Sequence, residues 1–163
     1  MTLTLSSEVI AVIRAHGRDT YPHECCGALI GHAGEVVDAL ALPNTTDEGP
    51  RRRFLVRPDD YRAAETRASA TGAELLGFYH SHPDHPAMPS QYDLDHAWPF
   101  LSYVIVSVQG GEPAELRSWR LRDDRSQFDE ETLEEGAHSR ELSVQSAERG
   151  QPRADSREPR ADS

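Results

Sequence analysis

The stretch "YHSHPDHPAMPSQYDLDHA", Tyr79–Ala97, decides how the rest of the chain is read. With the preceding "ELLGF" it forms a run, Glu74–His82, of strand character. His80 and His82 are two residues apart in that run, so they point to the same side of a sheet. Pro83 ends the strand, because proline has no N–H to give to a ladder. In "SQYDLDHAW" Ser90 stands where a helix begins, and Asp93 falls in its first turn. If the proline-rich loop between them folds back, Asp93 meets both imidazoles.

Working outward, the segments on either side supply a sheet and its helices. Leu5–His16 reads as a helix, capped by Ser6 or Ser7, with Val9, Ile10, Ile13 and His16 on one face and Gly17 near its end. "CCGALIG", Cys25–Gly31, and "EVVDALAL", Glu35–Leu42, read as a β-hairpin. "RRRFLV", Arg51–Val56, reads as a strand, and Pro58 opens a helix to about Ser69. "SYVIVSV", Ser102–Val108, and "AELRSWRL", Ala114–Leu121, make a hairpin across Gly110-Gly111. The order of elements is that of an α+β fold with a mixed sheet and helices packed on it.

Composition divides the chain. Residues 1–125 are read as the folded domain and 126–163 as an acidic, low-complexity tail. From Gln127 onward Phe128 is the single aromatic, and the chain closes on the repeat "PRADSREPRADS". Such a segment offers too little apolar surface to offset the entropy of ordering it, although Glu130–Glu135 has weak helical character. The net charge of -11 argues against a polyanion such as nucleic acid as partner. No apolar run approaches the roughly 18 residues of a membrane span, and no signal pattern opens the chain. Cys25 and Cys26 are adjacent, about 3.8 Å apart at Cα, whereas a disulfide needs at least about 4.4 Å. They are read as free thiols, which suits a reducing, cytoplasmic compartment.

Two imidazoles and one carboxylate are three protein ligands for Zn²⁺, with the fourth position left for water, as in catalytic sites. Zinc lowers the pKa of such a water from 15.7 to about 7. A proton acceptor is then needed. Glu24, in "PHECCG" just before an apolar strand, is the candidate, since burial and a nearby metal pull its pKa in opposite directions. The Ser90 hydroxyl can donate to an oxyanion as well as cap the helix.

These residues resemble the JAMM (MPN+) metalloprotease signature: Glu24 upstream, then His80-Ser81-His82-Pro83, then Ser90 and Asp93. The resemblance spans roughly Leu5–Leu121 and is closest to the short prokaryotic members, whose opening is matched by Pro22, Glu24, Cys26 and Gly27. A stretch like Asn44, Arg53, Phe54 and Pro58 also occurs in them. It implies zinc on His80, His82 and Asp93, Glu24 as acid and base, and Ser90 at the oxyanion. The implied fold is a cytidine-deaminase-like α/β/α sandwich. The implied substrate is a small ubiquitin-fold or sulfur-carrier protein ending in Gly-Gly, from which cysteine or another small adduct is released. Two alternatives are a deconjugase acting on lysine isopeptide bonds and a non-catalytic, zinc-binding scaffold. Oligomeric state is not legible, a homodimer included.

Neighbouring residues receive plainer readings. His85 and His96 are expected in solvent or supporting places rather than as ligands, and Asp84 and Asp95 as solvated or capping. Cys26 is expected to pack as a small hydrophobe, and Trp98 and Phe100 to belong to the core. Arg51, Arg52 and Arg53 are read as a soluble strand edge, with a grip on an acidic substrate as the alternative.

Overall fold

The computed structural model describes residues 2–44 and 56–136. The elements are β1 (Thr2–Ser6), α1 (Ser7–Thr20), β2 (Cys26–His32), β3 (Glu35–Leu42), α2 (Pro58–Ala70), β4 (Glu74–Pro83), α3 (Gln91–His96), β5 (Ser102–Gln109), β6 (Glu112–Leu121) and β7 (Phe128–Gly136). The strands are hydrogen-bonded in the order β1-β3-β2-β4-β5-β6-β7, and β1 closes the ring by pairing in parallel with β7. The mixed character is as expected: β4 runs parallel to β5, while β2 is antiparallel to both β3 and β4.

Alternation along β4 and β5 sorts the side chains onto two faces. Tyr79, Val104, Val106 and Val108 join Leu3, Leu5, Leu29 and Val36 in a core that also takes Val9 and Ile13 of α1. Phe78 and Tyr103 point the other way, into a second core with Ala64 of α2 and Ala97. Ser6 caps α1 by accepting from Val9 N at 3.1 Å. The helix runs past Gly17, which is no terminator. Gly17 is buried, and a Cβ there would lie 3.0 Å from Val108, so its lack of a side chain lets α1 settle on β5. Gly27 plays a similar part, since a Cβ there would lie 2.2 Å from the Tyr79 ring.

Several expectations are corrected. Helices do lie on both faces, but the sheet closes into a barrel instead of remaining an open layer in an α/β/α sandwich. Closure depends on two strands that the sequence reading did not contain. Thr2–Ser6 is a strand preceding the helix, and Phe128–Gly136, assigned to the tail with weak helical character, is β7. The folded unit therefore extends beyond Arg125. Phe100 is not core: it is 68 % exposed, at φ 68, whereas Trp98 packs against Tyr61 with ring centroids 4.7 Å apart. The proposed strand Arg51–Val56 and the arginines in it lie outside the described residues, Val56 excepted, as do residues 137–163. No described helix is long and apolar enough to cross a membrane.

Cys25 and Cys26 are free and buried, on opposite faces of the sheet. Burial pushes the Cys25 thiol up to about 11 and the Cys26 thiol up to about 12. The thiolate is the nucleophile, so the folded protein is expected to resist iodoacetamide at pH 8 and to take up two labels only in denaturant. Labelling of the native protein at the rate of the unfolded chain would contradict this burial.

Candidate metal centre and active-site cleft

The site lies at the carboxyl end of β4, where β4 and β5 run parallel and the chain leaves through a loop to α3. Crevices in parallel sheets form at that end. His80 and His82 project from the face shared with Phe78, and both are buried. Asp93 reaches them from the first turn of α3. That turn is a capping box: Ser90 Oγ accepts from Asp93 N at 3.1 Å, and Asp93 Oδ2 accepts from Ser90 N at 2.8 Å. The local bonds that start the helix thus also aim its carboxylate.

The donor atoms form a nearly equilateral triangle. His80 Nε2 and His82 Nε2 are 3.2 Å apart, and Asp93 Oδ2 is 3.3 Å from the first and 3.2 Å from the second. A tetrahedral zinc with bonds of about 2.0–2.1 Å would separate its donors by roughly 3.3 Å. The triangle therefore has the size the ion requires. The charges agree. Burial works against a charge on His82, but the hydrogen bond and charge of Asp93, with Glu24 behind, push its pKa up. Burial pushes His80 down despite Asp93. Burial would raise the Asp93 carboxyl, yet the two imidazoles hold it well below the ordinary carboxylate range. An ionised carboxylate beside imidazole nitrogens is a donor set suited to a cation. These are the residues able to hold a metal ion among those described. His82 Nδ1 lies 2.9 Å from the Pro86 carbonyl, which can accept its proton and so leave Nε2 as the ligand atom.

Glu24 enters through strand register. Cys26 pairs with His80, so Glu24, two residues before Cys26, comes opposite His82, two residues after His80. Ser81 N donates to the Cys25 carbonyl at 3.1 Å and Cys25 N to Ser81 Oγ at 2.9 Å, which carries the pairing past the end of β2. Glu24 is 7 % exposed. With Pro22, His82, Met88 and Ser90 it lines a cleft of about 610 Å³. The five residues singled out from the sequence thus converge on one place. Asn44, noted in the sequence as part of the resemblance and given no role there, has one here: its Nδ2 donates to the Glu24 carbonyl at 3.0 Å and ties the end of β3 to the segment carrying Glu24.

His85, His96, Asp95 and Cys26 fall as the plainer readings had them. His96 stacks on Tyr92 and bonds to its carbonyl, Asp95 accepts from Gln91, and His85 sits exposed on the cleft rim. Cys26 packs in the second core, its thiol directed at the carbonyls of Leu42 and Pro43.

Known proteins resemble this chain over the region that carries the site. Residues 6–122 match the family described as prokaryotic homologs of the JAB domain. The chain is 32% identical over 115 residues to a desampylase of Haloferax volcanii, covering 66% of this chain and 82% of the relative. It is also 32% identical over 124 residues to a CysO-cysteine peptidase of Mycobacterium tuberculosis, covering 74% and 84%. A solution structure of a protein from Desulfitobacterium hafniense superposes with a TM-score of 0.72 at 31% identity, covering 85% of this chain and 94% of that one. The chain belongs to the prokaryotic JAB-domain family.

Proposed function

We propose that this protein, a hydrolase of peptide or isopeptide bonds, is a zinc-dependent peptidase acting after the C-terminal Gly-Gly of a small ubiquitin-fold or sulfur-carrier protein. The observation that carries the reading is the triangle of His80, His82 and Asp93, with sides of 3.2–3.3 Å, in a cleft that Glu24 and Ser90 also line. Zinc held there supplies a Lewis acid for the scissile carbonyl and a water whose pKa falls to about 7. Glu24 accepts the proton of the attacking water and delivers it to the leaving amine. Ser90 Oγ accepts from Asp93 N, so its own proton is available to the oxyanion that develops on the carbonyl. The cleft excludes bulk water from one side of these groups, which strengthens each electrostatic contact.

Ser90→Ala is expected to lower kcat by about 10²–10³-fold with KM little changed, the loss of one oxyanion donor. Zinc content should persist, because Asp93 still accepts from the backbone at position 90. Loss of the cap should appear separately, as a destabilisation of about 1 kcal/mol. Wild-type kcat in this variant would reduce Ser90 to a helix cap.

The defining experiment offers the protein a Gly-Gly carrier joined to cysteine and the same carrier joined to a lysine side chain, each with and without a chelator, and reads product masses. Chelator-sensitive release of the carrier supports the reading. The relative named a desampylase is as similar as the one named a CysO-cysteine peptidase, so the lysine arm is the second reading. Tight zinc with no turnover in either arm would favour the scaffold.

A further inference from the structure

The loop Asp84–Pro89 supplies the carbonyl that faces His82, and little in its own backbone fixes it: His85 N donates to the His82 carbonyl at a long 3.4 Å. Pro86 and Pro89 give no N–H, so the loop has few donors for internal turns. It is held from outside, by the hairpin of β5 and β6 and by Tyr21. Asp84 Oδ1 accepts from Gly110 N and Oδ2 from the Tyr21 hydroxyl, both at 2.7 Å. The carbonyl of His85 accepts from Ser107 Oγ at 2.6 Å and from Gln109 Nε2 at 3.3 Å. The carbonyl of Ala87 accepts from Trp119 Nε1 at 3.0 Å, in a small core where Ala87 is wholly buried beside Ile105. The two carbonyls flanking Pro86 are therefore each pinned by a side chain of the hairpin. The one between them is left to face His82 Nδ1 at 2.9 Å.

We infer that Trp119 and Ser107 are positioning residues for the metal site: by fixing the carbonyls on either side of Pro86 they aim the Pro86 carbonyl, which fixes the ring orientation and tautomer of His82. The inference rests on the reading of His80, His82 and Asp93 as zinc ligands. Ser107 stands on β5 in register with His82, and Trp119 sits on β6, the strand beyond β5 as counted from the ligands. A purely structural Trp119 would also fill its pocket and find a partner for its N–H. What separates the two roles is whether the state of His82 depends on that N–H.

The test uses Trp119→Phe, which keeps an aromatic ring and removes the donor to the Ala87 carbonyl, and Ser107→Ala, which removes the shorter of the two bonds to the His85 carbonyl. Zinc affinity is measured by competition with a chromophoric chelator. In the zinc-loaded protein, proton NMR reads the exchange of the His82 Nδ1–H. Each variant is expected to weaken zinc binding about ten-fold, within the 10–100-fold range typical of groups that orient a metal ligand. The His82 Nδ1–H should exchange faster in both. Arg117→Gln serves as the control. The Arg117 guanidinium lies over the Trp119 ring, 4.9 Å from its centre, while Nε1 donates to the Ala87 carbonyl, so loss of Arg117 should leave both readouts unchanged. Wild-type affinity and unchanged exchange in both folded variants would overturn the inference while leaving the zinc reading intact, and should Trp119→Phe fail to fold, Ser107→Ala decides alone. A wild-type protein that takes up no zinc would overturn the ligand reading itself, and the inference with it.

Discussion

Replacing Glu24 by glutamine is expected to lower kcat by about 10²–10⁴-fold while zinc stays bound, the range for loss of a general acid–base group. The substitution keeps size and shape, which matters because Glu24 is buried at the end of a tightly registered strand pair. An amide can neither accept the proton of a water nor hand it to an amine. Glu24 lies outside the three-residue donor cluster, so metal content should match the wild type. Because the group acts in the transition state, kcat and kcat/KM should fall together with KM nearly constant. More than a tenth of wild-type turnover would remove Glu24 from the proton transfer. Loss of zinc in parallel with activity would make it a structural support of the ligands.

The candidate site was legible because its signals are local. Two histidines at i and i+2 share a face whatever surrounds them, and a serine with an acid three residues on is a helix start in most contexts. The structure turns that start into a device, since the capping carboxylate is also the third donor. The positive-φ glycines at 110 and 111 likewise announced the β5–β6 turn. What stayed hidden depends on partners far away in the chain. Thr2–Ser6 pairs with residues 132–136 and with Glu35 and Val36, and nothing within five residues says so. Leu5 also sits four residues before Val9, which made it look like the first turn of the helix. "FDEETLEEG" is poor in strand formers and rich in acids. Its acids are matched across the strand pair, Asp129 by Arg122 and Glu130 by Arg117. Cross-strand charge pairing of this kind is invisible to a local reading. Pro86 escaped for another reason: it acts through its carbonyl, which every residue has.

Ending the chain after Arg125 is expected to lower the thermal midpoint by roughly 10 °C, whereas ending it after Gly136 should leave the midpoint where it was. Residues 137–163 offer little apolar surface by composition, and β7 offers a good deal. Phe128 packs edge-on against Tyr103, with centroids 5.8 Å apart, and Leu133 packs against the core shared with α1. Each side chain is half-buried and stabilises by about 1–2 kcal/mol. Glu131 is buried and accepts from Ser118 Oγ at 2.8 Å, a further contribution of about 1 kcal/mol. The Arg117 and Arg122 ion pairs are exposed and add little. The sum is about 3–5 kcal/mol, and a domain of this size loses roughly 2–4 °C per kcal/mol. Removal of β7 also strips one hydrogen-bonded neighbour from β1 and one from β6 at once, since the ring is closed through it. Two open strand edges invite pairing between molecules, so the shorter chain should scatter light at concentrations where the longer stays monodisperse. The damage should spread toward the cleft, because Trp119, which holds the Ala87 carbonyl, lies opposite Glu130 of β7. A chain ending at Arg125 that melts with the full-length protein and stays monodisperse would show that the barrel needs no closure.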